Sequence, residues 1–494
     1  MLERKIPDLR STISNTTTFG HQRRLPIGAE FISGVGVHFR VWASNASEVT
    51  IIFDEGVIPP LALPAELENL ERGYFSGLAP EAKPGMRYRV RLDHGAVYPD
   101  MASRFQPEGP HGPSEVVDPD RFEWTDHTWN GPDWKDLVLY ELHLGTFTEA
   151  GTWDSASEHL AELAELGINA IELMPVAEFA GEFGWGYDGV DLFAPYHHYG
   201  TPDDMRRFVD RAHALGIAVI LDVVYNHFGP DGAYAKAYSN EYFHHARGAN
   251  DWGDTLNFDG PGSRPVREFF VTNARHWIRE YHLDGLRLDA CQAIHDDSEE
   301  HILAELSRKA CEEAGDRRIF LVAENEPQDT RLFEPIGQGG YGLDAVWTDD
   351  FHHAARVALT GRTEAYYCDY QGTPQELISA VKWGFLFQGT FNKWQQKLRG
   401  TSAIGCDPAR FVTFLESHDQ VANSTRNLRL RSLCDPGCYR ALAALWLLSP
   451  QTPMFFQGQE WGSTRPFHYF CDHAPELASL VRKGRLQALA EFPT

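Results

Sequence analysis

Four acidic residues stand at the ends of apolar runs in this chain. Asp222 closes IAVILD, Asp289 closes DGLRLD, Glu324 closes IFLVAE, and Asp419, with His418 before it, closes FVTFLESHD. Carboxyl groups placed this way are suited to acid–base and nucleophilic chemistry. Arg287 lies two residues before Asp289. On a strand that spacing puts both on one face, with Leu286 and Leu288 on the other. The arginine charge favours an ionised Asp289, the state needed to attack an electrophilic carbon. Glu324 follows an apolar run with no neighbouring cation in the sequence. Desolvation would keep its proton on, which suits a group that gives a proton in one step and takes one in the next. Two carboxyls of opposite protonation, without a metal-ligand pattern, are what retaining glycoside hydrolysis requires. In that chemistry Asp289 is the nucleophile and Glu324 the acid/base. Asp419 would grip sugar hydroxyls and favour a positively charged transition state. His227 and His418 would donate hydrogen bonds to hydroxyls. Tyr187, in GWGYDGV, would offer an aromatic face. Trp185 would stack on sugar or wall the groove, and Asp222 would contact substrate or hold Arg287 in place.

These residues need a scaffold that brings distant segments together. From about residue 137, eight apolar runs alternate with helical patterns: LVLYELHLGTFT, INAIELMPV, IAVILDVVYNH, DGLRLDA, RIFLVAEN, LDAVWTDDF, RFVTFLESHD and TPMFFQGQEWG. The helical patterns SASEHLAELAELG and TPDDMRRFVDRAHALG begin with capping residues and end at Gly. The alternation predicts an α/β fold, a (β/α)8 TIM barrel, over residues 121–494, with the acidic ends on its C-terminal face. Residues 228–263 are aromatic and turn-rich and predict an elaborated loop after strand 3. Trp252, Asn257 and Asp259 in that loop are further candidate ligand contacts, and its Asp/Asn cluster lacks the spacing of a calcium loop. Residues 26–120 alternate as strands with turn residues between them, predicting an N-terminal antiparallel β-sandwich module that binds glucan or covers the barrel. Residues 1–25 are polar and read as a flexible segment. YRALAALWLLSP (439–450) reads as a buried helix.

Composition narrows the classes. The net charge of −26 disfavours nucleic acid or an anionic membrane as partner and says nothing against a neutral sugar. At 494 residues and 43% hydrophobic, the chain can build a large core. The seven Cys show no zinc spacing and read as free thiols in a reducing compartment. The N-terminus shows no apolar signal region and no stretch reaches transmembrane length, so a cytoplasmic location is expected. No metal and no organic cofactor is expected. The oligomeric state is expected to be monomer or homodimer.

DVVYNH (222–227), GLRLDA (285–290), VAEN (322–325) and ESHD (416–419) resemble, in order, four short regions of the α-amylase superfamily of glycoside hydrolases. The resemblance covers roughly residues 26–475. It implies the same roles for Asp289, Glu324 and Asp419, and supporting positions for Asp222, Arg287, His227 and His418. YELHLGTFTEAGTWDSASEHLAELAELGINAIELMPVAEFAGEFGWGYDGV is similar to the catalytic-domain start shared by malto-oligosyltrehalose trehalohydrolases and glycogen branching enzymes. Three features side with the trehalohydrolases: Gln420 in HDQ, where branching enzymes carry Glu; TPMFFQGQEWGSTRPFHYFCDH (452–473); and WGDTLNFDGPGSRPVREFFVTNARHWIREYHLDGLRLDA. The resemblance implies hydrolysis of the α-1,4 bond adjacent to the terminal trehalose of maltooligosyltrehalose, with Gln420 in the substrate site. The alternatives are a 1,4-α-glucan branching enzyme and a glycan-binding protein on an inactive scaffold. There are three departures from the pattern. The chain ends at LQALAEFPT without the usual C-terminal β domain, AENEPQD follows the acid/base, and Asn427 stands where Gly is common.

Overall fold

The computed structural model describes residues 23–56, 58–66, 73–250, 252–424 and 426–492. The flexible segment expected over 1–25 lies outside these residues for 1–22; Arg23 and Leu25 are buried.

Two antiparallel sheets form the N-terminal part. One orders Gly28–Ile32, Gly36–Trp42 and Tyr74–Ala79. The other orders Leu61–Leu63, Val49–Phe53, Arg87–Leu92 and Val97–Tyr98, with Ser114–Glu115 also paired to Arg87–Leu92. Alternate side chains meet between the sheets, with the Phe39 ring 5.0 Å from Tyr88 and 5.9 Å from Phe53. The module is tied to the rest of the chain by buried groups. Arg104 forms a bidentate pair with Glu280, and Arg40 bonds Glu268.

Among the described residues, eight parallel strands close a barrel, in the order predicted: Leu139–Leu142, Ala170–Leu173, Ala218–Val223, Gly285–Leu288, Phe320–Ala323, Ala345–Trp347, Phe411–Thr413 and Thr452–Phe456. Period-two alternation sorts their residues. Leu286, Leu288, Leu321 and Val346 face the helices, while Leu139, Ile220, Val322, Val412 and Met454 fill the inside. Above that apolar filling lies a polar layer of Glu141, Glu172, Asp222 and Arg287, each 3% exposed or less. The helix Pro202–Ala214 begins with a Thr201–Asp204 capping box and Pro at its first turn.

The run 439–450 departs from expectation. It lies in the helix Pro436–Leu447, which buries only Leu442 and Trp446, and Leu448 just beyond it is 86% exposed. Its apolar residues run round the helix, and the barrel has room to cover a single stripe. Asn427 has φ +48°, a left-handed conformation that explains Gly as the common residue there. Its side chain closes the turn by bonding the Ala422 and Ser424 carbonyls.

Candidate active site

Arg287 is the hub. Buried at the end of the fourth strand, its Nη1 donates to Asp222 Oδ2 and Asp289 Oδ1, each at 2.8 Å, and its Nη2 lies 3.1 Å from Glu324 Oε2. The Trp347 ring packs beneath the guanidinium, 4.4 Å from its carbon. A planar fork serving three carboxylates on neighbouring strands uses what distinguishes arginine from lysine.

Asp289 also accepts from the Asn226 side chain at 2.9 Å. Glu324 accepts from the backbone N–H of Ala290 at 2.8 Å. Ala290 achieves this with φ 41° and ψ 54°, a left-handed conformation costly for a residue with a Cβ. Strain of this kind gathers at functional sites. The expectation that no cation neighbours Glu324 is corrected by the Arg287 contact. Burial nevertheless outweighs it, and with Asp289 and Asp419 nearby the Glu324 carboxyl is pushed up to about 8. Burial also raises Asp222 to about 6, against the opposing pull of Arg287.

Around these groups runs a hydrogen-bonded chain. The Tyr187 hydroxyl donates to Asp222 Oδ2 at 2.7 Å and meets His418 Nε2 at 3.1 Å. Gly186 positions that tyrosine: φ is +97°, and a Cβ there would sit 2.0 Å from the Pro175 carbonyl oxygen. The His418 Nδ1 bonds Glu141. His227 bonds Asn226 through Nδ1, and Asn226 in turn reaches Asp289.

The seven predicted side chains Tyr187, Asp222, His227, Arg287, Asp289, Glu324 and His418 are thus joined in one network, and Asp419 Oδ2 lies 3.5 Å from His418 Nε2. The packing bears on four readings. Both histidines are buried with their ring nitrogens on protein partners. Trp185 is 6% exposed, stacks on Phe467 and spends its N–H on the His468 carbonyl, so it is a wall. Asp222, shared by Tyr187 and Arg287 and almost fully buried, is a support. Asn257 bonds Glu241, Gly260 and Pro261 within its own loop, and Asp259 bonds Arg247 and the Asp297 N–H, so both brace the loop. Trp252 is half exposed.

An open cleft of about 150 Å³ lies against Glu324 and Asp419 and is lined further by Asp349, Tyr366, Trp394 and Gln420. Gln420 donates to Asp349 Oδ1 at 3.1 Å. Burial raises Asp349 to about 6. Sequence reasoning missed Glu141, Asn226, Trp347 and Asp349. The signal for Glu141 was available: a charge inside the apolar run LVLYEL, as unusual as Arg287 in its strand. No cluster of three or more metal-ligating side chains occurs among the described residues.

The family described as Alpha amylase, catalytic domain, matches residues 116–254, and Carbohydrate-binding module 48 (Isoamylase N-terminal domain) matches residues 26–116. The chain is 42% identical over 456 residues to the malto-oligosyltrehalose trehalohydrolase of Saccharolobus solfataricus, covering 91% of this chain and 78% of that one. It is 41% identical to the enzyme of the same name from Deinococcus radiodurans, with coverages of 96% and 76%. A 1,4-alpha-glucan branching enzyme from Xanthomonas oryzae is 34% identical over only 56% of this chain and 41% of its own. Among solved structures, one from Salmonella typhimurium classed with the alpha amylases superposes with a TM-score of 0.88 at 40% identity, covering 94% and 78%. A Paenibacillus barengoltzii pullulanase, at 19% identity and TM-score 0.69, shares the fold.

Proposed function

This chain belongs to the malto-oligosyltrehalose trehalohydrolase family of α-amylase-type glycoside hydrolases, and from that premise we propose that it hydrolyses the α-1,4 bond adjacent to the terminal trehalose of maltooligosyltrehalose, releasing trehalose. The observation that carries the chemistry is the sharing of one buried arginine, Arg287, by the two carboxyls Asp289 and Glu324, at 2.8 and 3.1 Å. Asp289 attacks the anomeric carbon as Glu324 gives its proton to the departing oxygen. Water then enters, Glu324 takes its proton, and the Asp289 ester is broken with the anomeric configuration retained. Asp419, 40% exposed at the cleft, stabilises the positively charged sugar ring between the two steps.

The acid sits on the leaving-group side of the bond it protonates. The cleft lined by both Glu324 and Asp419 therefore adjoins the reacting sugar as well as the departing trehalose. Gln420 fits that reading. Its amide donates to Asp349, where a glutamate, as in branching enzymes, would set two carboxylates against each other. The N-terminal two-sheet module, residues 26–120, binds glucan or covers the barrel, and residues 121–494 are the catalytic unit. The seven cysteines are free thiols, which suits a reducing cytoplasmic setting. No helix of the described residues is long and apolar enough to cross a membrane. We assign no metal or cofactor to the reaction, and a monomer or homodimer as the working form.

The test is chromatography of products from maltotriosyltrehalose, with maltopentaose and amylose alongside and Asp289→Asn as control. Release of trehalose by the native protein alone, with slow attack on the plain glucans, is the expected result. New branches in amylose without trehalose would favour the transferase. Binding without turnover, unchanged in Glu324→Gln, would favour the binding protein.

A further inference from the structure

Glu141 stands on the first barrel strand, 1% exposed. Both of its carboxyl oxygens are spent on one residue. Oε2 accepts the His418 backbone N–H at 3.0 Å, and Oε1 takes the His418 Nδ1. The other ring nitrogen, Nε2, faces the Tyr187 hydroxyl at 3.1 Å. That hydroxyl has one proton, which it gives to Asp222 Oδ2 at 2.7 Å. Its oxygen must therefore accept from His418. A carboxylate on one ring nitrogen and an accepting hydroxyl on the other leave His418 with both N–H groups and a positive charge.

We propose that Glu141 is a positioning residue of this site, fixing His418 as a two-donor imidazolium that aims the Tyr187 hydroxyl at Asp222 and holds the Asp419 carboxylate at the cleft. The chain of influence is Glu141, His418, then Tyr187 on one branch and Asp419, 3.5 Å from Nε2, on the other. Neutral His418 with its proton on Nδ1 would turn Nε2 into an acceptor. The Tyr187 proton would then swing from Asp222 to His418, leaving Asp222 and Arg287 to rebalance, and the attraction for Asp419 would be lost.

The groups facing His418 come from five elements. Glu141 and Asp419 favour the charged ring, and Arg287 on the fourth strand opposes it, as does burial. His143, two residues beyond Glu141, is held neutral by burial, lowered to about 4, and adds no competing charge. Tyr187 and Trp185 line the ring from the loop after the second strand, and Trp347 stands 6.2 Å away on the sixth. The balance holds His418 up to about 9, so it stays charged across the working range of Glu324.

This assignment rests on the proposed hydrolysis only for its kinetic readout. Glu141→Gln keeps the side-chain shape and removes the charge. The expected result is a pH profile of kcat/KM whose alkaline limb moves to lower pH by at least about one unit. Trehalose release should fall at least ~10-fold at pH 7.5, and the loss should shrink progressively as pH falls and His418 regains its proton. A constant loss at every pH overturns the proposal, because that is what damaged packing alone produces. Ring NMR of the native protein labelled with ¹⁵N-histidine, with His418 identified by its loss in His418→Gln, decides the matter even if Glu141→Gln does not fold. Two protonated nitrogens at pH 7.5 are expected, and a neutral tautomer overturns the assignment. The NMR reading is independent of turnover, so a native protein that fails to release trehalose would defeat the functional reading alone.

Discussion

The backbone N–H of Ala290 donates to Glu324 Oε2 at 2.8 Å, so the residue that follows Asp289 in the chain holds the carboxyl that must act opposite it. The fourth and fifth barrel strands run side by side, pairing Leu288 with Ala323. The left-handed turn at Ala290 then tips its N–H across to the neighbouring strand end.

That turn has a cost a glycine would not bear. Ala290→Gly should raise stability by about 1 kcal/mol in urea unfolding. Trehalose release should fall a few-fold, because the freer backbone no longer fixes Glu324. Unchanged stability would show that the left-handed geometry is not strained in the folded protein.

Glu324 is protonated at neutral pH, held up to about 8 chiefly by burial. Its acid form is lost as pH rises through that value. The kcat/KM of the native enzyme should therefore decline above about pH 8, and Glu324→Gln should lower kcat by about 10²–10⁴-fold while leaving the fold intact. A native profile that is flat to pH 9 would separate the alkaline limb from this residue.

Arg287→Lys should be nearly as damaging as removing a carboxylate. One ammonium cannot span Asp222, Asp289 and Glu324, which the guanidinium reaches at 2.8, 2.8 and 3.1 Å. Unpaired buried carboxylates should cost about 3 kcal/mol of stability, and activity should fall at least ~10³-fold. Thermal unfolding and kcat/KM measured together check both.

The other end of the barrel offers a pH test of stability. His213 bridges Asp126 and Asp284 at 2.9 Å each, buried beside Trp129. The two aspartates raise the His213 pKa against burial, and His213 and His282 hold Asp126 below its ordinary range. The histidine contribution is complete below its unfolded value of about 6.5 and is lost as pH rises through its elevated folded value. The Asp126 contribution is present above about pH 4 and is lost as pH falls further. His213→Asn should therefore cost most between about pH 4 and 6.5, on the order of 3 kcal/mol, and less in alkali. Equal destabilisation at pH 5 and pH 9, measured by thermal unfolding, would mean that the imidazolium is not what the two carboxylates hold.

Much of this was legible in the chain itself. Eight apolar runs with helices between them define the barrel, because a strand's period of two and a helix's period of 3.6 are written into which residues are apolar. Arg287 and Asp289 on one face follow from their spacing alone, as does the convergence of Asp222, Glu324 and Asp419 on one rim once the barrel is accepted. Which side chains face sugar and which face one another was not legible. The choice left open for Trp185, stacking on sugar or walling the groove, turns on its burial, and the protein partners of the His227 and His418 ring nitrogens were likewise invisible in the sequence. The run 439–450 read as a buried helix, yet the helix Pro436–Leu447 buries only Leu442 and Trp446, since coverage is a property of neighbours. Glu324 read as the acid/base from its apolar run, but without the cation beside it, and Glu141 was a charge in an apolar strand with no visible partner. Only the tertiary structure sets Glu141 against the backbone N–H and the ring Nδ1 of His418, and Glu324 beside Arg287. Protonation depends on the dielectric and the charges within a few ångströms, and those arrive from strands up to 277 residues apart.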